Sequence, residues 1–153
     1  MEKALLLANL SHHLIRNITV SIDILHIFMV FEGATHTWRE IYMDGRPHPR
    51  NWVNNWWGHS TGKWEGDTLV VETTGFLDTD PQWLDVQGSP LTETAKVTEK
   101  FRRVNYGTME IEITVDDPKA YTKPWTVRVN QRIMPEQEII EFICEENQRF
   151  GKQ

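Results

Sequence analysis

The sequence predicts a single all-β domain, a lipocalin-like up-and-down antiparallel barrel with tryptophan-rich loops at one mouth. Three observations favour this fold. From residue 18 onward, short segments rich in β-branched and aromatic residues alternate apolar and polar side chains. Short turns join most of them, without the alternation of strands and helices that builds parallel sheets. A length of 153 residues fits one domain, with residues 1–17 as an N-terminal extension and 18–150 as the barrel.

The N-terminal extension is predicted to hold one short amphipathic helix over residues 3–16. Three leucines recur there every fourth residue, at Leu6, Leu10 and Leu14. No small-residue cleavage site follows, so a signal peptide is not expected. The next apolar segment, residues 18–31, contains Asp23 and His26 and is too short to cross a bilayer. We interpret it as buried strand.

Strand alternation assigns side chains to faces in two segments. In "HTWREIYMDG", Arg39 falls on the same face as Ile41, opposite Tyr42. In "ETAKVTEKF", Glu99 falls on the apolar face with Val97. A buried carboxylate without a partner is costly, so we expect Glu99 to lie near the barrel mouth or to pair with an Arg or Tyr.

Two long loops and one tight turn interrupt the strands. Residues 46–62 read as a loop, because Pro47 and Pro49 block regular strand pairing. "GKWEGDTLVVETTGF" follows as a hairpin whose turn is Glu65-Gly66-Asp67. Residues 77–92 are predicted to form a second polar loop, and loops of this length usually have a role, such as that of a lid.

Composition restricts the classes of partner that the protein is expected to bind. The net charge of −6 argues against nucleic acid, since neutralising phosphates requires clustered Lys and Arg. The single cysteine, Cys144, excludes an intramolecular disulfide and is compatible with the cytoplasm. Nothing in the sequence indicates a cofactor or a membrane span. Tryptophans are unusually numerous, and they either pack the core and rim or line a ligand cavity: Trp38, Trp52, Trp56, Trp57, Trp64, Trp83 and Trp125.

The segment "GHSTG" matches the G-x-S-x-G pattern around Ser60. A nucleophile elbow needs a strand before the serine and a helix after it, whereas here a loop precedes Ser60 and a hairpin follows. The glycines more plausibly ease the chain from loop to strand. His59 is the better candidate for a general base or an anion-binding group, although a hydrogen bond to the loop backbone would explain it equally well.

Further polar residues gather at the predicted barrel mouth. Asp44 caps a turn or joins Arg46, which could clamp a carboxylate. His48 and His59, with Asp44 or Asp85, could hold a metal, but no H-x-H or H-x₃-H spacing is present and we assign no metal ligand. A carboxylate pair of Glu99 with Asp44 or Asp85 is also conceivable.

The ordered motifs "IYMDGRPHP", "GHSTGKWEGDTLVVETTGF", "DDPKAYTKPWTV" and "FICEEN" resemble those of a large family of environmental bacterial proteins. The resemblance covers roughly residues 24–147. It implies a β-rich domain, often preceded by an exported N-terminal region, and no particular activity. Residues 1–17 do not resemble that region, so the chain as given is expected in the cytoplasm, whereas family members often reach the periplasm. Family members often carry Cys-His-Glu-Gly-Asn where this chain reads Cys144-Glu145-Glu146-Asn147.

Two functions follow. The preferred one is a hydrolase or lyase that acts on an ester- or sugar-like small molecule inside an aromatic cavity. Its acid–base groups are predicted to be His59, Glu99, Asp44 and Asp85. Its substrate-binding residues are predicted to be Arg46, Trp56, Trp57, Trp64, Trp83, Tyr121 and Trp125. The alternative is a non-catalytic carrier that binds an apolar ligand. An oligomeric module whose tryptophans bury an interface leaves a homodimer open.

Overall fold

The computed structural model describes residues 18–22, 25–31, 37–77, 82–85 and 87–136. The strands of this part are β1 Ile18–Ile22, β2 His26–Phe31, β3 Trp38–Tyr42, β4 His59–Glu65, β5 Thr68–Thr74, β6 Gln82–Trp83, β7 Pro90–Leu91, β8 Lys96–Asn105, β9 Thr108–Asp116 and β10 Trp125–Arg132. The described ranges contain no helix, so the all-β class is confirmed. The helix predicted over residues 3–16 lies outside them, as does Cys144. Nor do these ranges hold a helix with the length and apolar character needed to cross a membrane.

Eight of the strands form one curled sheet that resembles half of a barrel. Its order is β1-β2-β3-β4-β5-β8-β9-β10, and β6 and β7 pair separately as a short ribbon. Within the described residues β1 and β10 are the two ends of this order, so the predicted lipocalin-like closure is not confirmed. The β4–β5 hairpin is confirmed, with Gly66 at φ 64° in its turn.

One strand pair differs from the predicted up-and-down antiparallel arrangement. β3 and β4 run parallel, paired at Ile41↔Ser60 and Tyr42↔Thr61. The cause is the intervening segment 43–58, which returns the chain to the end of the sheet where β3 started. The predicted loop 46–62 was also too long, because β4 already begins at His59.

The interior face of the sheet carries the core. One cluster of buried apolar side chains lies on β2, β3 and β5: Ile27, Met29, Phe31, Ile41, Leu69 and Val71. A second cluster is centred on β8 and β9: Phe76, Leu84, Leu91, Ala95, Val97, Ile111, Ile113 and Val115. Phe101 packs against both. Each fully buried aliphatic side chain stabilises the fold by roughly 1.5–3 kcal/mol, so these clusters hold the curled sheet together.

Candidate functional site

A cavity of about 440 Å³ lies where β3 separates from β4. The two strands pair at residues 41–42 and 60–61, and residues 37–40 diverge from the loop that leads into β4. The volume falls within the range of small-molecule sites, roughly 300–1,000 Å³. Its aromatic lining comes from Trp38, Trp52, Trp56, Trp57 and Tyr42. Its polar lining includes Arg39, Glu40, Asn55, His59 and Ser60.

His59 is held tightly at the wall of this cavity. As the first residue of β4 it is 4% exposed. Its ring stacks on Tyr42 with centroids 4.9 Å apart and 16° between planes. The Trp52 ring meets it edge-on at 4.8 Å. Burial, and then the nearby His48 and Arg46, lower the pKa of His59. The ring is therefore mainly neutral at pH 7, the state in which histidine can accept a proton.

His48 contacts His59 through a ring nitrogen. His48 Nδ1 lies 2.9 Å from His59 Nδ1, which is hydrogen-bonding distance. The other ring nitrogen of His48, Nε2, lies 3.4 Å from Thr61 Oγ1 and 3.5 Å from Glu72 Oε1. Burial lowers the pKa of His48, although Glu72 opposes this shift. Glu72 also forms an ion pair with Lys96. A polar chain thus runs from the sheet surface to the cavity.

Glu99 has a buried arginine partner, as its position on the apolar face of its strand predicts. Arg39 Nη2 donates to Glu99 Oε2 at 2.6 Å and to Thr73 Oγ1 at 2.7 Å, and Arg39 Nε donates to Ser60 Oγ at 2.9 Å. The side chains of Arg39 and Glu99 are 1% and 2% exposed. Arg39 Nη1 has no hydrogen-bond partner among the described residues. This buried ion pair neutralises charge inside the core.

His59 and Glu99 do not face each other. Ser60 bonds Arg39 on the interior face, and its chain neighbour His59 points to the opposite face, because side chains alternate along a strand. His59 and Glu99, two of the predicted acid–base groups, therefore lie on opposite faces of the sheet. Ser60 is 1% exposed and lies inside β4, not on a strand–helix turn.

Asp44 and Arg46 lie beside the site, on the far side of Tyr42. Arg46 Nε donates to both Asp44 oxygens, at 2.9 and 2.7 Å, and its Cζ lies 4.2 Å from the Tyr42 ring centre. Hydrogen bonds from the Arg46 side chain and backbone lower the pKa of Asp44 to about 2. Asp44 is thus ionised at neutral pH and cannot donate a proton there.

The remaining predicted residues are not among those that line the cavity. Asp85 accepts hydrogen bonds from the backbone N–H groups of Gln87 and Ser89, which shapes the β6–β7 turn. Tyr121 Oη donates to Pro90 O at 2.8 Å. The predicted tryptophans that do not contribute to the cavity are Trp64, Trp83 and Trp125, whereas Trp56 and Trp57 do. Gln82 Nε2 donates to Trp56 O, so the ribbon next to Trp83 supports the cavity loop.

The predicted site residues did not include Tyr42, Glu40 or Glu72, and Trp38 and Trp52 appeared only among the tryptophans that could line a cavity or pack the core. Tyr42 and Trp52 clamp His59, Glu40 accepts a hydrogen bond from Tyr42 Oη at 3.0 Å, and Glu72 and Trp38 complete the surroundings. Period-two alternation along β3 puts Glu40 and Tyr42 on one face, so the sequence contains a signal for this pair. The contact between His48 and Glu72 joins a loop to a distant strand, so no local sequence pattern predicts it.

The described residues contain no group of three or more His, Cys, Asp or Glu side chains arranged to hold a metal ion. Comparison of the chain with models of protein families, with curated proteins and with solved structures returns no match. The resemblance to an environmental bacterial family therefore stays a prediction from the motifs.

Proposed function

We propose that this chain is a small-molecule enzyme of the hydrolase or lyase class, acting on an ester- or sugar-like substrate in the tryptophan-lined cavity. One observation carries the proposal. A mainly neutral His59 stands at the cavity wall, fixed between Tyr42 and Trp52, with one ring nitrogen occupied by His48. Among the described residues no hydrogen bond engages its other nitrogen, Nε2, and we propose that this atom binds a molecule in the cavity. Positioned proton transfer by such a group speeds reactions by about 10²–10⁴-fold.

The aromatic rim supports a substrate with a flat or ring-shaped face. Trp38 and Trp56 line the cavity and are 56% and 58% exposed. Exposed indole faces offer apolar area at low conformational cost, and Glu40 and Asn55 provide polar groups beside them. Glu40, close to Tyr42, is our candidate for the second acid–base group. Catalytic roles for Glu99, Asp44 and Asp85 remain predictions that this proposal does not require.

A substrate panel tests the proposal. Wild-type protein, His59→Gln and Asp67→Asn are assayed with chromogenic esters, lactones and glycosides. Asp67 lies in the β4–β5 turn, away from the cavity, and serves as the matched control. We expect His59→Gln to lower kcat/KM by about 100-fold or more and Asp67→Asn to leave it unchanged. Full activity of His59→Gln on every substrate that the wild type accepts would refute the proposal.

A carrier is the second candidate, favoured by the four tryptophans in the lining. A carrier would show quenching of tryptophan fluorescence by apolar ligands, with no product formed. A closed, lipocalin-like barrel, which would suit either function, is also part of what we propose. A homodimer stays a prediction that light scattering would test.

A further inference from the structure

We infer that Glu72 and His48 fix the tautomer of His59, so that Nε2 presents a lone pair to the cavity and binds a hydrogen donor such as a hydroxyl group or water. The chemical consequence rests on the proposed function. The statement about proton positions does not, because it concerns the ligand-free protein. His48 and Glu72 are positioning residues in this scheme, and His59 is the group that touches substrate.

The short contact between the two histidines admits few proton arrangements. The two Nδ1 atoms are 2.9 Å apart, so a hydrogen bond requires an N–H on one of them and a lone pair on the other. With both rings neutral, two arrangements remain. Either His48 donates and His59 carries its proton on Nε2, or His59 donates and carries a lone pair on Nε2.

Glu72 selects between these arrangements. A carboxylate oxygen only accepts hydrogen bonds, and Glu72 Oε1 lies 3.5 Å from His48 Nε2. This favours a proton on His48 Nε2, since a lone pair there would face the negative oxygen. Thr61 Oγ1, at 3.4 Å, can donate or accept and so is compatible with either form. Lys96 pairs with the other oxygen, Glu72 Oε2, which leaves Oε1 to face His48.

The tautomer of His48 determines the tautomer of His59 through the hydrogen bond between the two rings. With its proton on Nε2, neutral His48 has a lone pair on Nδ1, and His59 must donate to it from its own Nδ1. His59 Nε2 is then a base. The stacked Tyr42 and the edge-on Trp52 oppose rotation of the His59 ring, so this nitrogen keeps its position.

This tautomer determines which chemical groups can bind at His59 Nε2. A hydroxyl group or water can donate to Nε2, whereas a carboxylate or phosphate would meet lone pair against lone pair. In an ester or lactone hydrolysis, Nε2 takes a proton from water as its oxygen bonds to the carbonyl carbon. The imidazolium that forms is stabilised by the His48 lone pair. It returns the proton to the leaving oxygen as the carbon–oxygen bond breaks.

Nitrogen-15 NMR of the histidine rings tests the inference in the ligand-free protein. Wild type is expected to show His59 protonated on Nδ1 and unprotonated on Nε2. Glu72→Ala should shift His59 towards the reverse tautomer, because Lys96 would then favour a lone pair on His48 Nε2. Glu65→Ala is the matched control, since Glu65 lies on the same hairpin and pairs with Lys63. Its spectrum should match wild type.

Two results would overturn the inference: His59 protonated on Nε2 in wild type, or identical His59 tautomers in wild type and Glu72→Ala. On a substrate that wild type turns over, Glu72→Ala should lower kcat by about tenfold, less than His59→Gln, with little change in KM. The two proposals fail separately. If the ring protons lie as expected but His59→Gln is fully active, the proposed function is wrong and the tautomer assignment stands.

Discussion

Replacing Glu99 by glutamine should destabilise the protein far more than the loss of one charge at the surface. Glu99 and Arg39 are 2% and 1% exposed, and their charged atoms are 2.6 Å apart. The amide keeps the shape of the side chain but leaves the Arg39 cation without a counter-charge in the core. Breaking a buried pair in this way costs about 3–5 kcal/mol. Urea unfolding, with a slope of roughly 1–3 kcal/mol per molar, should show a midpoint about 2 M lower.

Two further variants test whether the loss of stability comes from the buried ion pair. Glu110→Gln removes one partner of the Arg102–Glu110 pair, in which the side chains are 49% and 30% exposed. Such pairs contribute about 0–1 kcal/mol, so its midpoint should hardly move. The double variant Arg39→Met/Glu99→Leu removes both charges and should recover most of the lost stability. If Glu99→Gln and Glu110→Gln cost the same, the buried ion pair does not hold the core as described.

Two further predictions concern the backbone and pH. Gly58→Ala should lower the free energy of unfolding by at least about 2 kcal/mol more than Gly66→Ala, as measured by urea unfolding. A Cβ at Gly58 would lie 2.6 Å from Thr74 O, whereas Gly66 faces open space at a similar positive φ. Equal losses of stability in the two variants would contradict this packing. Since burial lowers the pKa values of His48 and His59, the unfolded chain binds more protons below pH 6.5, and stability should fall from pH 7 to 5. His59→Gln should reduce that loss, and an unchanged pH profile would refute this reasoning.

Period-two alternation was enough to predict much of the fold. It placed Arg39 with Ile41, put Glu99 on the apolar face and led to the expectation of a partner, which Arg39 supplies. The Gly66 turn was visible because glycine takes positive φ without steric cost. Local signals of this kind are strong where strands follow one another through short connections.

The site was harder to predict because it depends on contacts between distant segments. The parallel β3–β4 pair is produced by the path of a long segment, which carries no local signature. Since β4 starts at His59 rather than after Gly62, alternation already applies there and separates His59 from the interior face that holds Glu99. The prediction of a loop over residues 46–62 assigned His59 to no strand face.

Indole N–H signals in an ¹⁵N–¹H spectrum, followed during titration with the compounds of the substrate panel, test the central claim most directly. The cavity with His59 in its wall is lined by Trp38, Trp52, Trp56 and Trp57, whereas Trp64 and Trp125 lie elsewhere and serve as internal controls. A bound compound should shift the signals of the cavity tryptophans and leave the two controls in place. Shifts confined to Trp64 or Trp125, with the cavity tryptophans unmoved, would contradict the assignment of this cavity as the functional site.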